Sequence, residues 1–374
     1  MNLNVYRDQF VPVRKGRIFL NHAGVSPLSD RAAQAMKDAI DNFQGMTPKE
    51  WMTNETSLSR CRRALSQMLN APEADLALTR NTTDGVNWVA NGLAWNPGDR
   101  VVSINGEYPT NYYPWLRLQN KGVELHLIEP VQHRVSLEQI EQALTPETRV
   151  FAVSWVQFVS GFRLDLEAVG ALCAEKSVLF VVDVIQGMGA LPLDLKKSRV
   201  SFASGGAQKW MIGPQGAGFF YCPKENLDQL EPVHVGADSV VNPVPYLNYD
   251  FTLRPDARRF EYSTLPVVPL IGMGAAAELL LEAGMENVSK RIKLLTDILV
   301  NELGKKGWTC HSPREDNEWS GIVSLTHPAI TIDEACSRLA TVGAFARERE
   351  GMLRLAPHFY QTEDEMRTVV DCLL

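Results

Sequence analysis

The chain has 374 residues, with 37 lysines and arginines against 44 aspartates and glutamates, for a formal net charge of -7. A nucleic-acid binder needs a basic surface to neutralise phosphates, so this acidic balance argues against one. No apolar run approaches the roughly 20 residues that span a bilayer, and residues 1–8 lack a signal-peptide core. We therefore expect a cytoplasmic enzyme without a membrane partner, built of about two domains at ~150 residues each.

Residues 76–221 alternate between strand-like and helix-like segments. Apolar, β-branched runs are separated by amphipathic stretches such as Ser136–Leu144 and Leu164–Glu175. This alternation predicts an α/β fold, with a mostly parallel sheet and helices on both faces. The runs are continuously hydrophobic, which indicates strands buried on both sides. The predicted strands are Leu76–Thr79, Val101–Ile104, Val123–Ile128, Val150–Trp155, Val178–Val182 and Gly216–Tyr221.

The pattern changes after about residue 265, where helices and single strands replace the regular alternation. Helices are predicted over Leu270–Ala283, Val288–Lys306 and Ile332–Val342, and strands over Ile322–Thr326 and Met352–Leu355. A last helix begins at Thr362, where Glu365 completes a capping box. We expect a large domain over residues 20–264 and a smaller α+β C-terminal domain formed by residues 265–374 together with residues 1–19.

An aspartate ends the strand-like run 178–183, and Gln186 follows on the exit turn. Ligands of open α/β sheets bind at the carboxyl ends of the strands. A carboxylate there is costly to bury unless a cation or donors meet it. Asp183 is therefore a candidate for ligand contact, although taken alone it also fits a helix N-cap.

A single lysine, Lys209, stands in a glycine-rich turn among Gly, Ala, Trp and Met. Such neighbours indicate a buried amine, whose lowered pKa favours imine formation. A surface lysine in a loop is the alternative. The cysteines are scattered, without a C-x-x-C pair or a histidine at ligand spacing, so we predict no metal site and reduced thiols.

The combination of these features is more specific than any of them alone. An aspartate at a strand end, a glutamine three residues later and a lysine 26 residues after the aspartate resemble the class V aminotransferase family. That family comprises pyridoxal-phosphate enzymes of fold type I, among them cysteine desulfurase, selenocysteine lyase, kynureninase and isopenicillin N epimerase. Its D-x-x-Q-x-x-G and G-P-x-G motifs stand here at 183–189 and 213–216. The resemblance implies that Lys209 holds pyridoxal 5'-phosphate as an imine and that Asp183 keeps the pyridine nitrogen protonated.

The resemblance extends over nearly the whole chain. Five segments of the chain are similar to motifs of the family. They are the opening segment (19–24), the phosphate loop (79–87), the ring-stacking segment (107–111), the R-x-E-x-G-T segment (259–264) and the L-R segment (353–360). It implies cofactor contacts from Thr82, Thr83, Tyr108, Gln157, Asp183, Gln186, Gln208, Lys209, Ser263 and Thr264, and substrate contacts from Asn21, His22 and Arg354. Arg354 would hold the substrate α-carboxylate. Each of these residues also has a structural interpretation. The phosphate-loop threonines could cap a helix, Tyr108 could be a packed core tyrosine, and Arg354 could be an ion-paired arginine of a strand.

Three positions depart from the family's pattern. Gln208 stands where many relatives have histidine, and Ser263 stands in place of the usual glycine. No cysteine shortly precedes Arg354, where cysteine desulfurases with the most similar C-terminal pattern carry their nucleophile. The resemblance implies an amino-acid substrate and a homodimer in which Thr264 reaches the neighbouring subunit's phosphate.

The reaction is left open by the sequence, since the same residues serve several reactions. We expect an aminotransferase first, with an amino-acid epimerase or a C–S or C–Se lyase as the alternative. The missing cysteine disfavours a persulfide mechanism. A non-catalytic scaffold with the same fold is the remaining alternative.

Overall fold

The computed structural model of the chain describes residues 2–242, 244–245 and 247–373. The helices are α1 Leu3–Arg7, α2 Val11–Arg14, α3 Asp30–Gly45, α4 Pro48–Leu69, α5 Thr82–Gly92, α6 Tyr113–Leu116, α7 Leu137–Ala143, α8 Leu166–Glu175, α9 Val267–Ala283, α10 Met285–Gly304, α11 Ile332–Thr341 and α12 Glu363–Cys372. The strands are β1 Ile18–Phe19, β2 Leu76–Thr79, β3 Arg100–Ile104, β4 Glu124–Ile128, β5 Thr148–Ser154, β6 Leu179–Asp183, β7 Phe202–Gly206, β8 Gly218–Tyr221, β9 Thr309–Cys310, β10 Val323–Thr326, β11 Ala344–Phe345, β12 Arg347–Arg349 and β13 Met352–Leu355.

A seven-stranded sheet in the order β2-β8-β7-β6-β5-β3-β4 forms the centre of the fold. Strand β8 is antiparallel to both neighbours, and the remaining pairs are parallel. Along β5, Phe151 and Val153 belong to the apolar cluster on one face, whereas Val150 and Ala152 belong to the cluster on the other. Both faces of the sheet are covered, which explains the continuous hydrophobic runs and confirms the predicted α/β fold.

A second, four-stranded sheet in the order β12-β13-β10-β9 lies in the C-terminal part of the chain. Its core is shared with α10, α11 and α12. The predicted capping box at α12 is present, because Thr362 and Glu365 each accept the other's backbone N–H. Strand β1 pairs in parallel with β11, which brings residues 18–19 to this part of the molecule. The pairing supports the proposed domain division, whose boundaries at 19/20 and 264/265 stay a prediction.

Helix α9 packs against α3 and α4 and is mostly buried, and its two glutamates, Glu278 and Glu282, form ion pairs at the surface. A Cβ at Gly274 would lie 2.8 Å from the Cα of Cys61, so glycine permits this close approach of α9 to α4. Within the described part of the chain, no single helix is long and apolar enough to cross a membrane. Helices α9 and α10, bent by 81°, pass that test only as a pair and only by length and composition.

Candidate active site

The carboxyl ends of several parallel strands meet at one edge of the central sheet. There Asp183 of β6 lies between Ser154 of β5 and Ser204 of β7. Tyr108 follows β3, and Lys209 follows β7. Because parallel strands present their carboxyl ends at a common edge, the fold brings together residues that are far apart in the sequence.

Asp183 is buried, with 2% of its surface exposed, and its Oδ1 accepts the backbone N–H of Ile185 at 2.9 Å. Residues 184–190 form turns without an α-helix, so Asp183 is not a helix N-cap. Burial raises the pKa of Asp183 to about 7, and the nearby Lys209 ammonium partly offsets this. A cationic N–H donor placed against this carboxyl group would favour its ionised form.

Lys209 lies in the turn after β7, and the N-terminal part of the chain holds that turn in place. The hydroxyl of Ser26 donates to the Lys209 carbonyl at 2.6 Å, and the N–H of Ser26 donates to the Gln208 carbonyl at 2.8 Å. Burial lowers the pKa of the Lys209 amine to about 8, against the opposing effect of Asp183; Arg354 and Arg349 lower it further. A substantial fraction of the amine is therefore neutral near physiological pH, as a nucleophile requires.

The Tyr108 ring lies beside this amine, with Lys209 Nζ 5.4 Å from the ring centroid. Its edge packs against Phe158 at a centroid distance of 5.3 Å. The side chain is 46% exposed, which excludes the core-tyrosine alternative. One face of the ring is available for stacking on a planar ligand.

A buried carboxylate that the sequence analysis did not assign, Glu107, lies at the centre of a hydrogen-bond network. It accepts from the Ser154 N–H at 2.7 Å, from Gln157 Nε2 at 2.7 Å and from Asn111 Nδ2 at 3.4 Å. Burial raises the pKa of Glu107, and these donors counteract the increase. The network holds the amide of Gln157 in place. Glu107 directly precedes Tyr108 in the sequence, which marks the residue but not its bonds to Ser154 and Gln157.

Gln186 and Gln208 occupy different positions around the lysine turn. The Gln186 amide donates to the Ala23 carbonyl at 3.0 Å and accepts from the Trp210 indole N–H at 3.0 Å. One N–H of Gln186 remains for a ligand. Gln208 is half-buried, and a Cβ at Gly206 would lie 2.6 Å from its Oε1. The Gln208 amide therefore lies close to the backbone at the end of β7.

The N-terminus of α5 lies at the same sheet edge and carries the predicted phosphate-binding threonines. Asn81 is the N-cap and accepts the Asp84 N–H at 2.9 Å, so neither threonine acts as the cap. The Thr82 hydroxyl is buried and, among the described residues, has no hydrogen-bond partner. Thr83 Oγ1 lies 2.8 Å from Thr110 Oγ1. An unsatisfied hydroxyl at a helix N-terminus suits a phosphate group.

Arg354 of β13 is the buried cation of the site, with 1% of its surface exposed. Its Nη1 donates to the Phe158 carbonyl at 2.7 Å, whereas its Nε and Nη2 are buried and find no partner in the described part of the chain. Burial lowers the pKa of Arg354 to about 10, and Arg349 lowers it further. Nε and Nη2 form one edge of the guanidinium, which is the donor pair that binds both oxygens of a carboxylate.

Asn21 and His22, which the sequence analysis assigns to substrate binding, differ in whether their polar atoms remain available for a ligand. The Nδ1 of His22 donates to the Ala356 carbonyl at 2.7 Å, and its Nε2 accepts from the Tyr360 hydroxyl at 2.8 Å. Both ring nitrogens are therefore engaged within the protein. The buried Oδ1 of Asn21 has no partner among the described residues, so it is the member of the pair with bonding capacity left for a ligand.

A second buried histidine, His358, donates from Nε2 to the Trp210 carbonyl at 2.8 Å. Burial lowers the pKa of His358 from the ordinary value of 6.5 to about 4 and lowers that of His22 as well. Below about pH 6.5 these histidines therefore bind protons in the unfolded chain, whereas they stay neutral in the folded chain. The contribution of the neutral histidines to the free energy of unfolding is fully present above this pH and is lost as the pH falls.

We expect the free energy of unfolding to drop by about 3 kcal/mol between pH 6.5 and pH 4 from His358 alone, at ~1.4 kcal/mol per pKa unit. Denaturant unfolding at a series of pH values measures this. In His358→Gln the amide can still donate to the Trp210 carbonyl but cannot take up a proton. An unchanged pH slope in that variant would contradict the assignment.

Ser263 and Thr264 are exposed on the single chain. They line a surface cleft with Arg80 and Asp84, next to the first turn of α5. The preceding Glu261 accepts the Leu78 N–H at 2.7 Å, which attaches the segment to β2.

The cysteines lie in the apolar cores or pack against them. Cys61, Cys173 and Cys222 are buried in the apolar core, whereas Cys310, Cys336 and Cys372 pack against the core of the C-terminal part. Burial raises the pKa of every one of these thiols. Each is therefore held in its thiol form, which is not the nucleophilic one.

These residues fit pyridoxal 5'-phosphate. Lys209 offers a partly neutral amine, and Asp183 offers a buried acceptor for a pyridine N–H. The unsatisfied Thr82 hydroxyl and the N-terminus of α5 suit the phosphate. The free edge of Arg354 suits the carboxylate of an amino acid.

Comparison with known proteins agrees with this fit. The model of the aminotransferase class-V family matches residues 18–355. A probable cysteine desulfurase of Methanothermobacter thermautotrophicus is 25% identical, over 99% of this chain and 96% of its own. An uncharacterized aminotransferase of Bacillus subtilis, YcbU, is 25% identical over 98% and 96%. The solved structure of the cystine C-S lyase C-DES in complex with its product, cysteine persulfide, has a TM-score of 0.87 at 22% identity, over 96% of this chain and 97% of its own.

Proposed function

The chain belongs to the class V aminotransferase family of pyridoxal-phosphate enzymes, and from this premise we propose that it cleaves the C–S bond of cysteine or a cysteine derivative. The relative named a probable cysteine desulfurase supports this reaction, as does the fold that the chain shares with a cystine C-S lyase. The sequence ranked transamination first. A relative named an aminotransferase keeps that reaction as the second candidate.

The observation that carries the proposal is the free Nε/Nη2 edge of the buried Arg354, whose charge is close enough to Lys209 to lower the pKa of the lysine. A buried guanidinium without an anion is costly, so the site is built for a carboxylate ligand. A non-catalytic scaffold would have no reason to retain this arginine together with a lysine whose pKa is lowered. An amino acid supplies the carboxylate, and its amine is directed toward Lys209.

When bound, the cofactor provides an electron sink for charge that develops at the α-carbon of the amino acid. In the proposed mechanism Lys209 Nζ would hold the cofactor and move the α-proton of the substrate. Asp183 would accept the pyridine N–H, and Tyr108 would stack on the ring. Gln186 and Gln157 would contact the ring oxygen, while Thr82, Thr83 and Gln208 would hold the phosphate. Arg354 and Asn21 would orient the substrate, with His22 in a supporting role.

We further propose that the sulfur leaves without being carried by a cysteine of this chain, since the thiols are buried or half-buried and lie in the cores. Cysteine and water would then give pyruvate, ammonia and hydrogen sulfide. Cystine and water would give pyruvate, ammonia and cysteine persulfide. In both reactions the β-carbon–sulfur bond breaks, and the sulfur leaves with the bonding electrons.

Product analysis of the holoenzyme with L-cysteine and with L-cystine tests the proposal. Pyruvate, ammonia and reduced sulfur in equal amounts support it. The triple variant Cys310→Ala, Cys336→Ala and Cys372→Ala serves as the control and should keep full activity. A keto acid that retains the sulfur, with the cofactor left in its amine form, would establish the aminotransferase instead. Sulfur bound covalently to the protein would establish a persulfide carrier.

We propose a homodimer in which Ser263 and Thr264 of one subunit complete the phosphate site of the other. The exposure of both residues supports this, because their hydroxyls are free at the surface of one chain. Mixing Lys209→Ala with a Thr264 variant that fails to bind the cofactor should give heterodimers with one intact site and one doubly defective site.

We expect subunit exchange between these two inactive variants to restore activity to about a quarter of wild type, because half of randomly paired dimers are hetero and each holds one good site. Activity after exchange, with dimer formation followed by sedimentation, measures this. Each variant exchanged with itself is the control and should stay inactive. Proven exchange without recovery would show that Thr264 acts within its own subunit or not at all.

A further inference from the structure

One face of the four-stranded sheet presents three arginines. In the antiparallel pair β12-β13, Arg347 is opposite Arg354 and Arg349 is opposite Met352. Side chains two residues apart on a strand, and side chains directly opposite on a neighbouring strand, project from the same face. Arg347, Arg349 and Arg354 therefore share one face, and the sequence analysis assigned only Arg354.

These arginines differ in what they contact. Arg347 is exposed, with its guanidinium 5.0 Å from the Phe345 ring centroid. Arg349 is half-buried, and its Nε is buried without a hydrogen-bond partner. In the described part of the chain neither Arg349 nor Arg354 forms an ion pair. The face thus holds two cations, each with buried donors that the protein leaves unsatisfied.

The two cations are close to each other and to the lysine. Arg349 and Arg354 are diagonal neighbours on adjacent strands, a relation that places their Cα atoms about 7–8 Å apart. Their mutual repulsion lowers the pKa of Arg354, and both arginines lower that of Lys209. Neighbouring unpaired cations on a partly buried surface are destabilising unless an anion joins them. One carboxylate satisfies the free edge of Arg354, and this leaves Arg349 for a second negative group.

We propose that Arg349 binds a second anionic group, carried on the side chain of the substrate, while Arg354 binds the α-carboxylate. The preferred substrate is then an amino acid with a short acidic side chain. This inference rests on the proposed function, in which it selects cysteine derivatives whose sulfur substituent bears a carboxylate or a similar anion. Arg347 is exposed and already packed on Phe345, so it takes no part in this selection.

Equilibrium binding of small acids to the holoenzyme tests the inference without any reaction. Succinate carries two carboxylates, and succinamate replaces one of them by a neutral amide of the same shape. We expect wild type to bind succinate at least about tenfold more tightly by calorimetry, since a charge-assisted hydrogen-bond pair is lost with succinamate. Arg349→Gln should abolish this preference, and the matched surface variant Arg347→Gln should keep it.

Two results would overturn the inference. Equal binding of the two acids by wild type would show that no second anion is recognised. An equal loss of affinity for both in Arg349→Gln would assign Arg349 to the first carboxylate. If Arg349→Gln does not fold, Arg349→Lys keeps the charge but not the fork of donors, and it should lower the preference several-fold; an unchanged preference would count against the inference.

A kinetic comparison separates this inference from the proposed function. S-carboxymethylcysteine and S-carbamoylmethylcysteine differ only in an anionic or a neutral end group. We expect a higher kcat/KM for the carboxymethyl compound, mainly through KM, and the loss of this difference in Arg349→Gln. If neither these compounds nor L-cysteine and L-cystine are cleaved while wild type still prefers succinate, C–S cleavage is wrong and the second anion site stands.

Discussion

Replacement of Lys209 by alanine should abolish turnover, with a loss of at least about 10³-fold, because general acid–base catalysis and the covalent attachment of the cofactor are removed together. The fold should survive, since the backbone carbonyl of residue 209 still accepts the Ser26 hydroxyl. Weak cofactor binding should persist through the phosphate site. Activity with saturating cofactor and the absorbance of the dialysed protein measure both effects.

Borohydride reduction followed by peptide mapping gives the attachment point directly. Wild type should carry the reduced cofactor on the peptide that contains Lys209, and Lys209→Ala should carry none. Lys197→Ala is the matched control, because Lys197 is a surface lysine paired with Glu167 at 2.8 Å. An adduct on another lysine would overturn the assignment of Lys209.

Replacement of Asp183 by asparagine should reduce kcat by about 10²–10³-fold, the usual effect of removing one electrostatic stabiliser of the transition state. An amide can still accept the Ile185 N–H, so the local turn is kept. It cannot stabilise a positive charge on the pyridine nitrogen. Because Asp183 also opposes the lowering of the Lys209 pKa, the pH at which the lysine becomes neutral should fall in this variant.

The rate of cofactor attachment to the apoprotein as a function of pH measures this second effect. In wild type the rate should rise with pH up to about 8, the pKa of Lys209, since only the neutral amine attacks. The midpoint should move to lower pH in Asp183→Asn. Asp194→Asn is the control, because Asp194 accepts the Lys197 N–H at 2.7 Å in a surface turn. Activity within a few-fold of wild type would limit Asp183 to a structural role.

Six strands of the central sheet could be predicted from their apolar runs. Strand β7 was not predicted, because a serine and two glycines make up the second half of Phe202–Gly206. Helices α3 and α4 were not predicted, although Ser29 and the Thr47–Glu50 capping box mark where they begin. Both helices have an apolar face and a polar face, so the signal was present in the sequence and was not used. Strands β9, β11 and β12 have two or three residues each and exist only through pairing with distant partners.

Within the site, the residues that carry chemistry on their own could be identified from their spacing along the chain. Asp183, Gln186 and Lys209 belong to this group. The Glu107 network could not, because its bonds to Ser154 and Gln157 join residues 47 and 50 positions apart. The same holds for Arg349, whose meaning depends on the register of β12 against β13. For such residues the sequence gives the residue type but not the partners that surround it in the fold.

The anchoring of the lysine turn by the N-terminal part of the chain has a consequence for the order of folding. Ser26 bonds to a carbonyl 183 residues further along the chain, and the carbonyl of Ala23 accepts from Gln186, 163 residues away. Contacts across such separations form late, after the intervening chain has become compact. The reactive amine thus reaches its final environment only when residues 23–26 dock against the turns that follow β6 and β7. Partly folded chains would contain Lys209 as an ordinary exposed lysine, protected from premature reaction with aldehydes by its full positive charge.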